Sequence, residues 1–470
     1  MLEAHAAQAG GLDDLAQLQK LVSIEDARFL FNQLVELRDP TEIERLKDYG
    51  KLQNEWGGSF YGMLPEPLTE GEIPVPADFP SLTQVAALLS RVRAENHEAL
   101  KQVNPAYPIG FKGQFFPSMT LKNRPERWDL ELDLSGIRAV LRLFRQERIS
   151  REDAAAVAAL APYTEMIKHR ENLGYLPKPW LTQDGLTNLL YHAASRAPLD
   201  MIWKWLTSQN FFDFADIALH QQDYEILVNE LDAHAEEIKN QILGTIAQYA
   251  PDEMRQAAFQ DRVSFTVGWG ISGWATATTG GINIEHFKDD YDRLLTTLTH
   301  ETFHRFQLQV CPTDPTREGK VRSFEDLTHF SFDDEADRKF YEVISYILLE
   351  GTATYLAPAH PPVDLEKSVN RGAQMLQECF EAIYQHKDPE RAEELLSQGL
   401  KSNGPVYWFG AHMAEKIVER YGDAGLGESL LEGSPGFFVR YLAAEAHAGL
   451  RLGREIESKV RELAATMSKL

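Results

Sequence analysis

Apolar residues recur at helical spacing through most of the first 250 residues, which predicts a mostly α-helical N-terminal region. Stretches rich in proline and glycine divide this region and predict irregular connections over residues 57–81, 104–127 and 173–185. Between these connections the spacing predicts helices over residues 12–52 (interrupted at Asp39–Pro40), 82–102, 137–149, 151–170, 186–209 and 215–250. The region carries no chemical motif, so we interpret it as a scaffold that forms one wall of a cleft.

Three short segments have a different pattern, that of β-strands. Trp128–Leu134 alternates apolar and polar residues as a half-buried strand does, although these residues could also lead into the helix that follows. Arg262–Trp269 alternates in the same way, and Gly280–Glu285 predicts a second strand close behind it. The second strand could pair its backbone with an extended peptide at the rim of a cleft, or the two strands could form a plain hairpin. We therefore expect a mainly α fold of the α+β class, with a small β-sheet in a large helical protein.

The helix predicted for residues 287–310 has two faces of different character. Its apolar side chains gather on one side of a helical wheel: Tyr291, Leu294, Leu295, Leu298, Phe306 and Val310. His300 and His304 project from the opposite side, together with Arg293 and Thr297. Histidines that belonged to the core would lie among the leucines, so this pair is placed as the wall of a cleft requires.

The segment Thr299-His300-Glu301-Thr302-Phe303-His304 matches the pattern H-E-x-x-H. Residues four apart in an α-helix are offset by one turn and only about 40°, so both imidazoles can reach a single metal ion. The glutamate of the motif then projects beside that ion. With 14 His in 470 residues, such a motif arises by chance in roughly a few per cent of chains, so it needs support from elsewhere in the sequence.

A second helix is predicted for residues 340–357, where nearly every face is apolar and Glu350 stands in the middle. A buried carboxylate is costly unless it is paired, protonated or bound to a metal, so we interpret Glu350 as the third ligand of a zinc ion. Two His and one Glu leave the fourth zinc position open for water, as in catalytic sites. The alternative is a buried pair with Arg or Lys. Ser331 or Asp333 can cap this helix, and Pro358 ends it.

Helical spacing continues toward the C-terminus over residues 364–385, 389–400 and 405–421, followed by two more helices. Tyr407 and His412 interrupt the apolar stretch at the start of the third of these helices. Zinc hydrolases often need a Tyr or His donor to stabilise the oxyanion that water attack creates. Tyr407 is therefore the first candidate for that role and His412 the second. Tyr407 could instead be a core aromatic residue, and His412 a capped or exposed one.

The composition is that of an ordinary globular protein, with 43% hydrophobic and 25% charged residues. The formal charge of −24 argues against nucleic acid or an anionic membrane surface as a partner. Two cysteines imply no disulfide framework. Neither a signal peptide nor a run of membrane-spanning length is seen, which favours a cytoplasmic protein or an exported one whose leader was removed. We divide the chain into a helical scaffold, residues 1–250, and a region that carries the chemistry, residues 251–470.

Residues 300–304, followed by Glu350-Gly-x-Ala-x-Tyr355, resemble the gluzincin clan of zinc metallopeptidases. The form Glu-Gly-Thr-Ala-Thr-Tyr and the later Tyr407-x-x-Gly410-x-x-Met413-Ala414 are similar to those of a bacterial family of zinc-dependent peptidases. The resemblance covers roughly residues 265–441 and implies a zincin-like catalytic region that binds Zn²⁺. It implies that His300, His304 and Glu350 are the zinc ligands. It also implies that Glu301 is the general base.

One position departs from the clan. Many gluzincins carry an acidic residue four positions after the third ligand, which orients a zinc-bound histidine, and here that position is Thr354. The group that orients the histidine must therefore come from elsewhere in the chain. The Gly-x-Met-Glu-Asn motif of the clan's aminopeptidases is also missing, so nothing favours exopeptidase action.

The resulting expectation is a zinc-dependent metallopeptidase that acts on a peptide or protein substrate. Zinc would make water acidic enough to attack the peptide bond, and Glu301 would move the proton to the leaving amine. A non-catalytic helical binding or scaffold protein with a vestigial metal site is the alternative from a different class. A zinc hydrolase with a non-peptide substrate is the other alternative. The sequence predicts neither the oligomeric state nor the cleavage preference.

Overall fold

The computed structural model describes residues 124–146, 148–172, 183–194, 221–267, 272–275, 280–287, 291–313, 324–358, 362, 364–401, 404–445 and 452–468. Helices predominate in these residues, and four short strands form one sheet. The predicted mainly α fold of the α+β class is therefore confirmed. The helices predicted over residues 12–52 and 82–102 and the connection over residues 57–81 lie outside the described residues, as does most of the connection over residues 104–127.

Along the chain, β1 precedes the other three strands by more than 100 residues. In chain order, the elements are β1 (Trp128–Asp133), α1 (Ser135–Phe144), α2 (Arg151–Ala158), α3 (Ala161–Asn172), α4 (Gln183–Ala194), α5 (Gln221–Ala233), α6 (Ala235–Gln248), α7 (Asp252–Gln256), β2 (Phe259–Thr266), β3 (Gly273–Ala275), β4 (Gly280–Asn283), a 3₁₀ turn (Ile284–Phe287), α8 (Tyr291–Val310), α9 (Phe324–Thr328), α10 (Glu335–Leu356), α11 (Leu365–Phe380) with a π-helical turn (Glu381–His386), α12 (Pro389–Gly399), α13 (Pro405–Ala444) and α14 (Arg454–Met467).

Two of the long helices predicted from the sequence are each a pair of shorter helices. The helix predicted for residues 215–250 is divided into α5 and α6 at His234, whose backbone leaves the helical conformation. That junction contains neither glycine nor proline, so it left no local signal in the sequence. The helix predicted for residues 151–170 is divided into α2 and α3, and Pro162 in the first turn of α3 is the residue that marks the break. The helix predicted for residues 137–149 ends at Phe144.

The four strands lie in the order β1-β2-β4-β3. β1 pairs parallel with β2, β2 pairs parallel with β4, and β3 pairs antiparallel with β4. The second and third predicted strands correspond to β2 and β4, which are parallel, so the plain hairpin considered for them is wrong. The chain first forms β3 at the edge of the sheet and then returns as β4, between β3 and β2. The sheet joins β1 to strands on the other side of position 250, and the division into two regions at that position stays a prediction.

Helix α8 is held against the sheet by aromatic rings and by a buried ion pair. The rings of Trp128 on β1, Phe259 on β2 and Phe306 on α8 lie with centroids 5.3–5.8 Å apart. Arg305 Nε donates to Asp261 Oδ1 at 3.0 Å, and both residues are buried. Since removing one partner of a buried ion pair leaves an uncompensated charge, this contact fixes the helix relative to β2.

Helix α10 packs along α13, which is interrupted twice. Asp334 caps α10 by accepting from the backbone N–H of Ala336, so the predicted caps Ser331 and Asp333 are wrong. The helix predicted for residues 405–421 forms the first part of α13, and positive φ angles at Gly422 and Gly433 mark where the helical conformation is broken. Within the described part of the chain, no helix is both long and apolar enough to cross a membrane.

Candidate metal centre

His300 and His304 lie one turn apart on α8 and turn their rings toward each other. The two Nε2 atoms are 3.0 Å apart, and the ring planes are nearly perpendicular. His304 is buried, and His300 is partly exposed to solvent. The helical spacing of the motif thus brings both imidazoles to one point.

Helix α10 brings Glu350 to the same point. Its Oε2 lies 3.4 Å from the Nε2 of His300 and 3.4 Å from the Nε2 of His304. Among the described residues the two imidazoles are its ion-pair partners, so the alternative of a buried pair with Arg or Lys is wrong. Forty-six residues of sequence separate Glu350 from His304, and only the packing of α10 on α8 joins them.

The three ligand atoms have the spacing that a tetrahedral zinc ion requires. Zinc bonds of about 2.0–2.1 Å in a tetrahedron place neighbouring ligand atoms roughly 3.4 Å apart. The observed separations are 3.0, 3.4 and 3.4 Å. Within the described residues, His300, His304 and Glu350 are the group of three His, Cys, Asp or Glu side chains close enough to hold a metal. The donor set of two imidazoles and one carboxylate fits zinc and leaves a fourth position open.

The charges of the three side chains are strongly coupled. Burial disfavours the imidazolium of His304, but the carboxylate of Glu350 outweighs this and raises the pKa of His304 to about 9. Burial likewise disfavours the carboxylate of Glu350, and the two imidazoles overcome it and lower the pKa of Glu350 below its usual range. The metal-free site therefore holds a partly buried anion and a buried cation that attract each other.

Glu301 lies beside this cluster and against the edge strand of the sheet. A Cβ atom placed on Gly273 of β3 would lie 2.7 Å from Glu301 Oε1, so only glycine leaves room for the carboxylate there. Burial raises the pKa of Glu301, interactions with His300 and His304 oppose the rise, and the Glu350 carboxylate adds to it. A carboxylate with a raised pKa beside a candidate metal site can exchange protons nearer neutral pH than an ordinary glutamate.

Tyr407 and His412 have different surroundings although both lie on α13. The ring of Tyr407 is 6.5 Å from the ring of His300, and burial and the carboxylates of Glu350 and Glu301 raise its pKa well above the usual value. His412 instead lies with its ring 6.3 Å from that of Tyr441 and its Nδ1 3.9 Å from a carboxylate oxygen of Glu415. The structure thus brings Tyr407 to the cluster and leaves His412 among residues outside it.

Gln307 belongs to this site and was not among the residues selected from the sequence. It is fully buried one turn after His304, and its Oε1 is 2.7 Å from His304 Nδ1. Its Nε2 donates to the carbonyl oxygen of Leu349 at 2.9 Å and to Thr352 Oγ1 at 2.7 Å. The signal that could have revealed it is its position three residues after His304, on the same face of the helix.

Comparisons with known proteins place the chain in a family. No curated protein and no solved structure matches the chain. A family model matches residues 155–447, which is more than half of the chain and includes all six residues predicted for the site. The match begins well before the span of roughly residues 265–441 over which the motifs showed a resemblance. The chain therefore belongs to the family described as "Putative zinc dependent peptidase (DUF5700)".

Proposed function

We propose that this chain is a zinc-dependent metallopeptidase of the gluzincin type. The observation that carries the proposal is the position of Glu350 Oε2, 3.4 Å from the Nε2 atoms of both His300 and His304. These three side chains would hold the zinc ion, as the spacing of their ligand atoms supports. A bound zinc ion would supply Lewis acidity, which makes water nucleophilic near neutral pH and polarises a carbonyl group.

The residues of the chain would move the proton and stabilise the charge that develops. Glu301 accepts a proton from the attacking water as the oxygen of that water bonds to the carbonyl carbon. The same carboxyl group then gives that proton to the amine nitrogen as the C–N bond breaks. The Tyr407 hydroxyl, whose raised pKa keeps it protonated, donates a hydrogen bond to the oxyanion.

The edge of the sheet supports a peptide as the substrate. β3 pairs with β4 on one side, and in the residues that the structure describes no strand pairs with its other side. The predicted strand Gly280–Glu285 was expected at this rim, but β4 lies inside the sheet and Gly273–Ala275 takes the edge. An extended peptide that added to β3 would place its backbone beside Glu301, which contacts Gly273.

The first test is the variant Glu301→Gln in the full chain. It should retain zinc, because Glu301 is not a ligand. It should no longer cleave a broad peptide library, whereas the wild type should cleave that library and a chelator should inhibit the wild-type cleavage. Glu390→Gln, an exposed residue at the start of α12, is the matched control and should cleave normally. Full cleavage by Glu301→Gln would remove the assigned base. Zinc binding by the wild type without any cleavage would favour a non-catalytic protein or a non-peptide substrate.

The second test concerns the third ligand. Glu350→Ala should lower the zinc content of the purified protein and weaken zinc binding in a chelator competition, because two imidazoles alone hold the ion poorly. Metal analysis after dialysis measures the content directly. A zinc content equal to that of the wild type would show that Glu350 is not a ligand, whatever happens to activity.

A further inference from the structure

Gln307 connects the second histidine of the motif to the helix that carries Glu350. One end of its amide meets the ring of His304, and the other end reaches the backbone of Leu349 and the side chain of Thr352, both on α10. Its side chain has no exposed surface. A buried amide whose contacts bridge two helices can fix their relative position and also the orientation of whatever its oxygen contacts.

The contacts on α10 determine which way the amide faces. The carbonyl oxygen of Leu349 can only accept, so the NH₂ group of Gln307 must point to it. The hydroxyl of Thr352 donates to the carbonyl oxygen of Leu348 at 2.8 Å, so it too accepts from this NH₂ group. Both amide hydrogens are therefore used on α10, and the oxygen is the atom left to face His304.

The orientation of the amide in turn determines the proton on the histidine. An amide oxygen only accepts, so His304 Nδ1 must carry a hydrogen and donate it to Gln307. A neutral imidazole with a proton on Nδ1 has its lone pair on Nε2. That Nε2 is the atom that lies 3.0 Å from His300 Nε2 and 3.4 Å from Glu350 Oε2.

We propose that Gln307 is a positioning residue that holds His304 in the tautomer and orientation needed to bind zinc. The inference rests on the proposed function. Gln307 would thereby replace the acidic residue that many gluzincins carry four positions after the third ligand, where this chain has the buried Thr354. It also makes the backbone carbonyl next to Glu350 responsible for the tautomer of His304, so the third ligand's helix orients the second ligand.

Zinc affinity of paired variants tests the proposal. Gln307→Met keeps the volume and removes the acceptor, and should weaken zinc binding in a chelator competition by about 10–100-fold, as the loss of such partners usually does. Gln307→Glu keeps an acceptor for His304 and loses the donors to α10, and should bind zinc more tightly than Gln307→Met. If the role of Gln307 were merely structural, the zinc affinities of the two variants would instead follow the order of their stability to urea in the metal-free form. That ranking, or wild-type affinity in Gln307→Met, would overturn the proposal.

A variant on α10 keeps the test informative if Gln307→Met fails to fold. Thr352→Val removes one acceptor of the Gln307 amide without touching His304, and should weaken zinc binding to a smaller extent in the same direction. Unchanged affinity in this variant, with Gln307→Met unfolded, would count against the proposal. A wild type that binds no zinc would remove the proposed function and this inference together. A wild type that binds zinc, with a Gln307→Met variant that binds it equally well, would remove the inference alone.

The tautomer can also be observed directly by ¹⁵N NMR of the zinc-loaded full chain labelled on histidine. The His304 signal, assigned by its loss in His304→Ala, should show a protonated Nδ1 with a slowly exchanging hydrogen and a metal-bound Nε2. In Gln307→Met that hydrogen should exchange faster, because its acceptor is missing. A His304 that binds through Nδ1 in the wild type would contradict the proposal.

Discussion

Gly351 and Gly410 touch through their backbones where α10 crosses α13. A Cβ atom on Gly351 would lie 2.2 Å from the Cα of Gly410, and one on Gly410 would lie 2.1 Å from the carbonyl oxygen of Ile347. Gly351 follows Glu350 directly, and Gly410 lies one turn after Tyr407. This close crossing is therefore what brings the Tyr407 ring beside the candidate metal site, and it explains why both glycines occur near residues of that site.

The crossing predicts that an added methyl group will damage both the fold and the site. Gly351→Ala and Gly410→Ala should each lower the free energy of unfolding by about 3 kcal/mol or more, because the obstructing atoms are backbone and cannot rotate away. Urea unfolding of the metal-free protein measures this effect. The helices must also move apart, so kcat should fall with Tyr407 displaced.

Gly280→Ala is the matched control for these two variants. Gly280 is buried on β4, yet a Cβ atom there would have its nearest neighbours at 3.6 Å, an ordinary contact distance. This variant should unfold within about 1 kcal/mol of the wild type. If Gly351→Ala behaves like Gly280→Ala, the two helices do not meet as closely as the structure shows.

The variant Tyr407→Phe tests which of the two candidates, Tyr407 or His412, donates the hydrogen bond to the oxyanion. Loss of the hydroxyl should reduce kcat by about 100-fold, with little change in KM or zinc affinity, because the hydrogen bond forms only when the oxyanion develops. His412→Gln should leave kcat near that of the wild type, since His412 contacts Tyr441 and Glu415 instead of the cluster. Steady-state kinetics on one cleaved peptide compares both. The opposite result, a slow His412→Gln and a normal Tyr407→Phe, would reverse the assignment.

The sequence predicted those parts of the candidate site whose signal lies within a single helix, either α8 or α10. His300 and His304 are four residues apart, and the position of Glu350 in an apolar segment already required a buried partner for its charge. Helical periodicity also predicted the segments that became α8, α10 and the first part of α13, with boundaries wrong by a few residues. These features depend on neighbours in sequence, which a single chain displays.

The features that the sequence did not reveal depend on residues far apart in the chain. The orientation of the Gln307 amide depends on Leu349 and Thr352, more than 40 residues away. β3 lies between β2 and β4 in the chain but at the edge of the sheet, and β2 therefore pairs in parallel with β4. The alternation of apolar and polar residues does not specify that order. The close approach of α10 and α13 likewise needs two glycines on different helices.

The coupled charges predict how pH affects the metal-free protein. The pKa of His304 is raised to about 9 in the folded protein from an ordinary value of 6.5, so the imidazolium stabilises the fold fully below pH 6.5 and loses this effect as pH rises through 9. The pKa of Glu350 is lowered, so its carboxylate stabilises the fold above an ordinary value of 4.5 and loses this effect as pH falls. Glu301, with a raised pKa, adds to the decline as pH rises above 4.5.

Metal-free wild type should therefore become less stable to urea as pH increases from 6.5 to 9. Glu350→Gln removes the anion that keeps His304 protonated, so the variant should show a flatter dependence over the same range. Zinc must displace the proton from His304 to bind its Nε2, which makes the apparent zinc affinity rise with pH over that range and leaves the zinc-loaded protein without the decline. Urea midpoints with excess chelator and with excess zinc measure both effects. Parallel curves for the wild type and Glu350→Gln in chelator would show that His304 and Glu350 are not coupled through the cluster.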